Sequence, residues 1–295
     1  MNANVGTPGM YEWERRFSQS ANRMQSSLIR EILKMMADPE LISFSGGMPA
    51  AELFPIEAFQ EASHRVLGES GVTALQYGIT EGYTPLREWL VEEMCRRGAD
   101  VRLENILIIN GSQQALDFVG RVFLDSGDTV LTGNPTYLGA LMSWRAYGAR
   151  YATVPVDAEG MCVDQIEDTL TREPAKFIYV LPNFHNPAGV TLSAERRRKL
   201  VEIAARHRLF VVEDDPYGEL RFEGEALPPL VALDSHHVIY ASTFSKTLSP
   251  GIRLGWVVAP TPVIAKMVQT KQGGDLHTSV FIQMIAHDIL SRGFL

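Results

Sequence analysis

Lys246 follows the apolar run Val238–Ser242 and sits in Thr243-Phe244-Ser245-Lys246-Thr247, with Arg253 seven residues further on. A lysine at the end of a buried strand, near another cation, has its pKa lowered, as a nucleophilic amine requires. Thr243, Ser245 and Arg253 can together supply several donors for one anion beside that amine. In isolation Lys246 could be any surface lysine. With those three neighbours it is the strongest chemical signal in the chain.

Three further segments carry polar residues directly after apolar runs. Leu209–Val212 leads into Glu213-Asp214-Asp215-Pro216-Tyr217. Three carboxylates there could bind a divalent cation, could be solvated, or could include a buried Asp paired with a cation on a ligand, since an unpaired buried carboxylate is costly or takes up a proton. Phe177–Leu181 leads into Pro182-Asn183-Phe184-His185-Asn186-Pro187-Ala188-Gly189. This is a turn signal in which Asn186 could donate to a ligand oxygen. His185 reads as a metal ligand or a base, but no second His lies at ligand spacing, and no metal is expected. Ile106–Ile109 leads into Asn110-Gly111-Ser112-Gln113-Gln114-Ala115-Leu116. A turn of small residues opening a helix points free N–H groups at the positive end of a dipole, which suits a phosphate, although the motif alone reads as a plain helix cap. No GxGxxG or Walker lysine is present, so dinucleotide and nucleoside triphosphate readings gain nothing.

The elements that must position these residues are short. Six runs predict strands: Ile106–Ile109, Thr129–Thr132, Phe177–Leu181, Leu209–Glu213, Val238–Ser242 and Gly255–Val258. All are β-branched and almost wholly apolar, as strands buried on both faces must be. Helix starts are predicted at Thr84-Pro85, Ser112, Ser193 and Thr261-Pro262, and an amphipathic helix over Gln25–Ala37. Helices alternating with such strands predict an α/β fold, a mostly parallel sheet covered by helices on both faces. Ligands of such sheets bind beyond the carboxyl ends of the strands, where all four segments lie.

Composition sets the bounds. The 295 residues are 45% hydrophobic and 21% charged, ordinary for a globular chain with a substantial core. Lys plus Arg is 27 against 35 Asp plus Glu, a net charge of −8 that offers no basic footprint for nucleic acid. The two cysteines, Cys95 and Cys162, suggest neither a disulfide framework nor a zinc site. No apolar run approaches the ~20 residues of a membrane span, and the first thirty residues carry no signal-peptide pattern. A cytoplasmic protein is the simplest expectation.

The run Ser242–Trp256, in order with the Gly111–Leu116, Asn186–Gly189 and Asp214–Tyr217 motifs, resembles the pyridoxal phosphate enzymes of the aspartate aminotransferase fold (fold type I, class I/II aminotransferases). More narrowly it is similar to the 2-aminoadipate and kynurenine aminotransferase branch, over essentially all of Gln25–Leu295. The resemblance implies pyridoxal 5'-phosphate bonded to Lys246, which then moves the substrate Cα proton. It implies Asp214 paired with the ring nitrogen, and Asn186 and Tyr217 on the phenolate oxygen. Tyr137 would stack on the ring, and Ser112, Gln113, Thr243, Ser245 and Arg253 would hold the phosphate. Tyr77 would reach the phosphate of a neighbouring subunit, so the resemblance also implies a homodimer with shared active sites. Gly47 would line the substrate pocket, with Asn186 also near substrate. Arg30 would meet an acidic side chain, unless it is a surface arginine paired with a neighbour.

The expected reaction moves an amino group from an amino acid of the 2-aminoadipate, branched-chain, aromatic or glutamate type to a 2-oxo acid. A β-lyase or decarboxylase on the same cofactor, and a non-catalytic sensor domain of the kind fused to DNA-binding modules, are the alternatives. Two departures from the pattern stand out. Ala188 occupies a position where many relatives have Thr, and the chain stops before the family's arginine clamp for the substrate carboxylate. The expected division is therefore an arm and helix belonging to a small domain (1–50), a cofactor-binding domain (51–290) and the start of a truncated small domain (291–295). Impaired turnover by this chain, and uncovered apolar surface on a helix at Phe281–Leu290, are expected to follow.

Overall fold

The computed structural model describes residues 13–25 and 47–294. Eight strands form one sheet: β1 (Ile106–Ile109), β2 (Thr129–Asn134), β3 (Arg150–Asp157), β4 (Gly160–Met161), β5 (Phe177–Val180), β6 (Phe210–Asp214), β7 (Val238–Thr243) and β8 (Gly255–Val258). Their order is β1-β8-β7-β6-β5-β2-β3-β4. The run from β7 through β6, β5 and β2 to β3 is parallel. β8 runs antiparallel between β7 and β1, and β4 antiparallel to β3. The architecture is the expected α/β fold with a mostly parallel sheet.

Described helices are α1 (Gln19–Arg23), α2 (Ile56–Leu75), α3 (Thr84–Arg96), α4 (Ser112–Phe123), α5 (Leu138–Arg145), α6 (Ile166–Arg172), α7 (Ala194–Arg206), α8 (Leu230–Leu233), α9 (Thr261–Gln272) and α10 (Val280–Ser291). The alternation of side chains along each strand divides the interior in two. Leu107, Ile109, Tyr179, Val212 and Ala241 face α4, α5 and α9. Ile106, Ile108, Ile178, Val211 and Tyr240 face α2, α3, α7 and α10. Because both faces are covered, β1, β5, β7 and β8 are buried at every position. That is why their sequences read as continuous apolar runs.

Thr84, Ser112 and Thr261 begin their helices as predicted, and the Ser193 hydroxyl caps α7 by accepting from Arg196 N. β3 and β4 are additions to the sequence-based set. Only one face of β3 is well buried, and its Arg150-Tyr151-Ala152-Thr153-Val154-Pro155 pattern is not an apolar run. The helix expected over 25–37 falls, Gln25 apart, outside the described residues, as do Arg30, Ser45 and Gly46.

The expectation for Phe281–Leu290 is corrected. Val280, Met284, Ile285, Ala286, Ile289 and Leu290 are buried, Phe281 and Ile282 are half-buried, and α10 packs along α2 and α3. Arg65 of α2 grips Asp288 of α10 at 2.6 Å, and Gln283 accepts from the backbone N–H of Tyr83 at 2.7 Å. The helix is apolar on most of its circumference because it lies between other helices. No described helix is long and apolar enough to cross a membrane.

Candidate active site

The strand-end segments meet at the carboxyl edge of the parallel strands. β6 ends in Glu213 and Asp214, with Asp215 just beyond, and alternation sends Asp214 to the face opposite the other two. On one side the Glu213 carboxylate accepts from the backbone N–H groups of Leu230 and Val231, at 2.8 and 3.1 Å, at the start of α8. On the same side Asp215 accepts from Arg97 Nη2 at 2.9 Å, Asn183 Nδ2 at 2.8 Å and the Tyr240 hydroxyl at 3.2 Å. Asp214 points the other way. The Tyr179 hydroxyl donates to its Oδ2 at 2.8 Å, while Oδ1 is buried with no partner. Burial pushes the Asp214 carboxyl up to about 7, with Tyr179 pulling it down and Asp215 adding to the rise. The divergence of these side chains removes the cation reading. No group of three or more potential metal ligands occurs among the described residues.

Lys246 is half-buried beyond β7, and burial lowers its pKa from the usual lysine value. Its Nζ donates to the Gly47 carbonyl at 2.8 Å and lies 5.9 Å from the centre of the Tyr217 ring. The structure thus brings Gly47, Lys246 and Tyr217 together across long stretches of sequence. Burial raises the Tyr217 phenol, and the nearby Asn186 side chain opposes that rise. Tyr137, just before α5, is pushed up to about 12 by burial, then by the charges of Asp214 and Tyr217, with Arg253 opposing. Its hydroxyl donates to Gln113 Oε1 at 3.4 Å.

At the N-terminus of α4 the chain turns through Gly111, with φ +77°, into Ser112 and Gln113. A Cβ on Gly111 would lie 2.5 Å from Arg253 Nη2, so glycine is what lets the guanidinium approach the helix start. Arg253, itself left-handed at φ +50°, donates from Nη1 to Ser245 Oγ at 3.3 Å and from Nη2 to the Asn110 carbonyl at 3.4 Å. Thr243 Oγ1 and Ser245 Oγ are 2.9 Å apart, and the Ser245 N–H donates to Thr243 Oγ1 at 3.1 Å. A helix N-terminus, two hydroxyls and a guanidinium so arranged form a cup for a phosphate-sized anion.

Two sequence candidates stand apart from this cluster. Tyr77 is 79% exposed and packs edge-on against His277 at 5.8 Å. His185 is buried and accepts the Ala188 N–H on Nδ1 at 3.3 Å, which ties down the Asn186 turn. Tyr179 and Arg97, the partners that distinguish Asp214 from Asp215, were not singled out from the sequence. Tyr179 lies inside an apolar strand, and Arg97 is 118 residues from its carboxylate, so neither carries a local signal.

A ligand that fits this arrangement has a phosphate for the cup, a carbonyl within reach of Lys246 and a protonatable nitrogen for the orphaned Asp214 oxygen. Pyridoxal 5'-phosphate has all three, and the site defines a pyridoxal-phosphate-binding protein of the α/β class. Residues 40–293 match the family model described as aminotransferase class I and II. The 2-aminoadipate transaminase of Thermus thermophilus is 46% identical over 286 residues, covering 96% of this chain and 71% of that protein. Aromatic-amino-acid aminotransferase 1 of Thermococcus litoralis is 43% identical, covering 96% of this chain and 70% of that protein. Among solved structures, the alpha-aminoadipate aminotransferase of Thermus thermophilus, in complex with N-(5'-phosphopyridoxyl)-L-leucine, superposes with a TM-score of 0.89 at 45% identity, covering 96% of this chain and 72% of that one. The chain belongs to the class I and II aminotransferases, enzymes that transfer amino groups with pyridoxal 5'-phosphate.

Proposed function

We propose that this chain transfers the amino group of a 2-aminoadipate-, branched-chain-, aromatic- or glutamate-type amino acid to a 2-oxo acid, with Lys246, Asp214 and Tyr217 as its catalytic residues. The carrying observation is the Asp214 carboxylate, buried with one oxygen satisfied by Tyr179 and the other free. Pyridoxal 5'-phosphate, when bound, supplies a carbonyl and an electron-withdrawing ring that stabilises negative charge at the substrate Cα. Asp214 Oδ1 would keep the ring nitrogen protonated, because a buried carboxylate gains most from a cation in contact. Lys246, its ammonium destabilised by burial, would be the amine that holds the cofactor and the base that would move the substrate Cα proton. Tyr217 and Asn186 would hold the ring's phenolate oxygen, and Tyr137 would cover a ring face. Ser112, Gln113, Thr243, Ser245 and Arg253 would hold the phosphate, with Arg253 as its charge partner. Gly47 and Asn186 border the substrate.

The substrate range rests on similarity to the aminoadipate and aromatic aminotransferases. A homodimer with shared sites is supported by the exposure of Val72 (87%), Leu75 (73%), Tyr77 (79%) and Ile79 (55%) at and just beyond the end of α2. Isolated exposed apolar residues are ordinary, but a cluster of this kind marks an interaction surface. In the dimer Tyr77 reaches the partner's phosphate cup. A reducing, cytoplasmic setting agrees with the free thiols of Cys95 and Cys162.

The test is single-turnover conversion of the bound cofactor to its amine form, followed by absorbance, with 2-aminoadipate, leucine, kynurenine and glutamate as donors. Asp214→Asn is expected to slow the half-reaction by about a hundredfold or more, and Asp215→Asn by much less. Equal losses contradict the assignment of Asp214.

A further inference from the structure

Behind the phosphate cup lies a charged cluster to which the chemistry above gives no role. Lys271, in the last turn of α9, has no exposed surface. Its ammonium donates to Asp275 Oδ2 at 2.9 Å and to Gln114 Oε1 at 3.0 Å. Gln114 Oε1 also accepts the backbone N–H of Asn110 at 2.9 Å, and Gln114 Nε2 donates to Asp275 Oδ2 at 2.8 Å. The Asn110 side chain donates to that same carboxylate oxygen, while the Asn110 carbonyl accepts from Arg253. Asn110 and Gln114 flank Gly111-Ser112-Gln113, the turn that forms the cup. The network therefore holds the turn at both ends, fixes which way the Gln114 amide faces, and reaches the guanidinium through one carbonyl.

We propose that Lys271 and Asp275 are positioning residues for the cofactor phosphate: the ion pair between the buried Lys271 and the more exposed Asp275 pins the Asn110–Gln114 turn so that its N–H groups and Arg253 are set before the phosphate arrives. Two physical arguments carry this. An ion pair with one partner buried and the other partly exposed is a poor source of net stability, so its geometry is the more informative feature. Each of its acceptors and donors beyond the pair is directed to one five-residue segment rather than spread over the core. The Lys271 ammonium also offsets the charge of Asp275, whose carboxylate contacts Asn110 at the start of the turn. Donors that are fixed in advance bind without the cost of ordering them on contact.

The inference rests on the assignment of Ser112, Gln113 and Arg253 to the phosphate, and the experiment separates the two. Cofactor-free protein is titrated with pyridoxal 5'-phosphate and with pyridoxal, which lacks only the phosphate, and binding is read by absorbance and by quenching of tryptophan fluorescence. Lys271→Met is expected to weaken binding of the phosphorylated form by about tenfold or more while changing that of pyridoxal less than about threefold, and Lys271→Arg to recover most of the loss. Gln114→Leu, which leaves the ion pair in place and tests the same link should Lys271→Met not fold, is expected to show the same selectivity. Arg253→Gln is the control. If it discriminates between the two ligands and neither Lys271→Met nor Gln114→Leu does, the positioning role is overturned and the phosphate assignment stands. If Arg253→Gln fails to discriminate, the phosphate assignment itself falls. Equal weakening of both ligands by Lys271→Met and by Gln114→Leu shows a merely structural pair and also overturns the proposal.

Discussion

Asp214 and Asp215 are adjacent in sequence and equally buried at 2% exposure, yet their circumstances are opposite. Asp215 has three partners, while Asp214 has Tyr179 and one oxygen left over. That difference has a consequence in the cofactor-free protein. Burial raises the folded-state pKa of Asp214 to about 7, from an ordinary value of 3.8. The folded state therefore binds more protons than the unfolded state between those values. This contribution to stability is fully present below about pH 4 and is lost as pH rises through about 7. Glu213, raised by burial to about 7, tilts stability in the same sense, so the informative comparison is with Asp214→Asn, where Glu213 is unchanged. Urea denaturation at about pH 5 and about pH 8 is expected to show a larger fall in the wild-type protein than in Asp214→Asn. Equal falls contradict the reading of Asp214 as a buried carboxylate without a cation. Lys246 and Asp214 were legible in the sequence because each follows an apolar run at the ligand edge of a parallel sheet. Which of the adjacent aspartates would face the cofactor was implied by the resemblance, in which the paired aspartate lies three residues before Tyr217. The Tyr179 hydroxyl that holds Asp214, and the Arg97 that occupies Asp215, were not legible, since both contacts join residues distant in sequence.

At the scale of elements, the site is a set of strand ends and one helix start. β1, β5, β6, β7 and β8 could be read to within a residue, because burial on both faces leaves an unbroken apolar run. β3 could not, because its Arg150 and Asp157 ends and Pro155 break the run, and its exposed face needs no apolar residues. α10 was legible as a helix but not in its surroundings, since an apolar helix inside a layer and one with an unpaired face share one composition. The helix start that matters is that of α4. Gly111 combines a positive φ with the near approach of Arg253, so a side chain there is strained and also displaces the guanidinium. Gly111→Ala is expected to cost about 1–3 kcal/mol of stability and to weaken pyridoxal 5'-phosphate binding by about tenfold. Chemical denaturation and cofactor titration measure the two effects. An affinity equal to wild type would mean that Arg253 does not work at the α4 N-terminus.

For the whole molecule, the exposed position of Tyr77 and its apolar neighbours supports a dimer in which each site draws on both chains. Mixing makes this testable, because the two lesions can be placed on different subunits. In a hybrid of Lys246→Ala and Tyr77→Ala chains, one site carries both substitutions and the other carries neither. Random reassortment of equal amounts is expected to restore wild-type sites to about one quarter of the total. Activity that never exceeds the sum of the separate variants would contradict sharing. The central claim, however, concerns a single amine. Among the described lysines, Lys246 joins partial burial and a lowered pKa to a place beside the Tyr217 ring and the anion cup, whereas Lys271 is fully buried and paired with Asp275. The most direct test is borohydride reduction of the protein saturated with pyridoxal 5'-phosphate, followed by proteolysis and mass mapping of the pyridoxyl group. The account predicts the label on the peptide that contains Lys246, and its loss in Lys246→Ala. A label on Lys266 or Lys271 with Lys246 unmodified would contradict it.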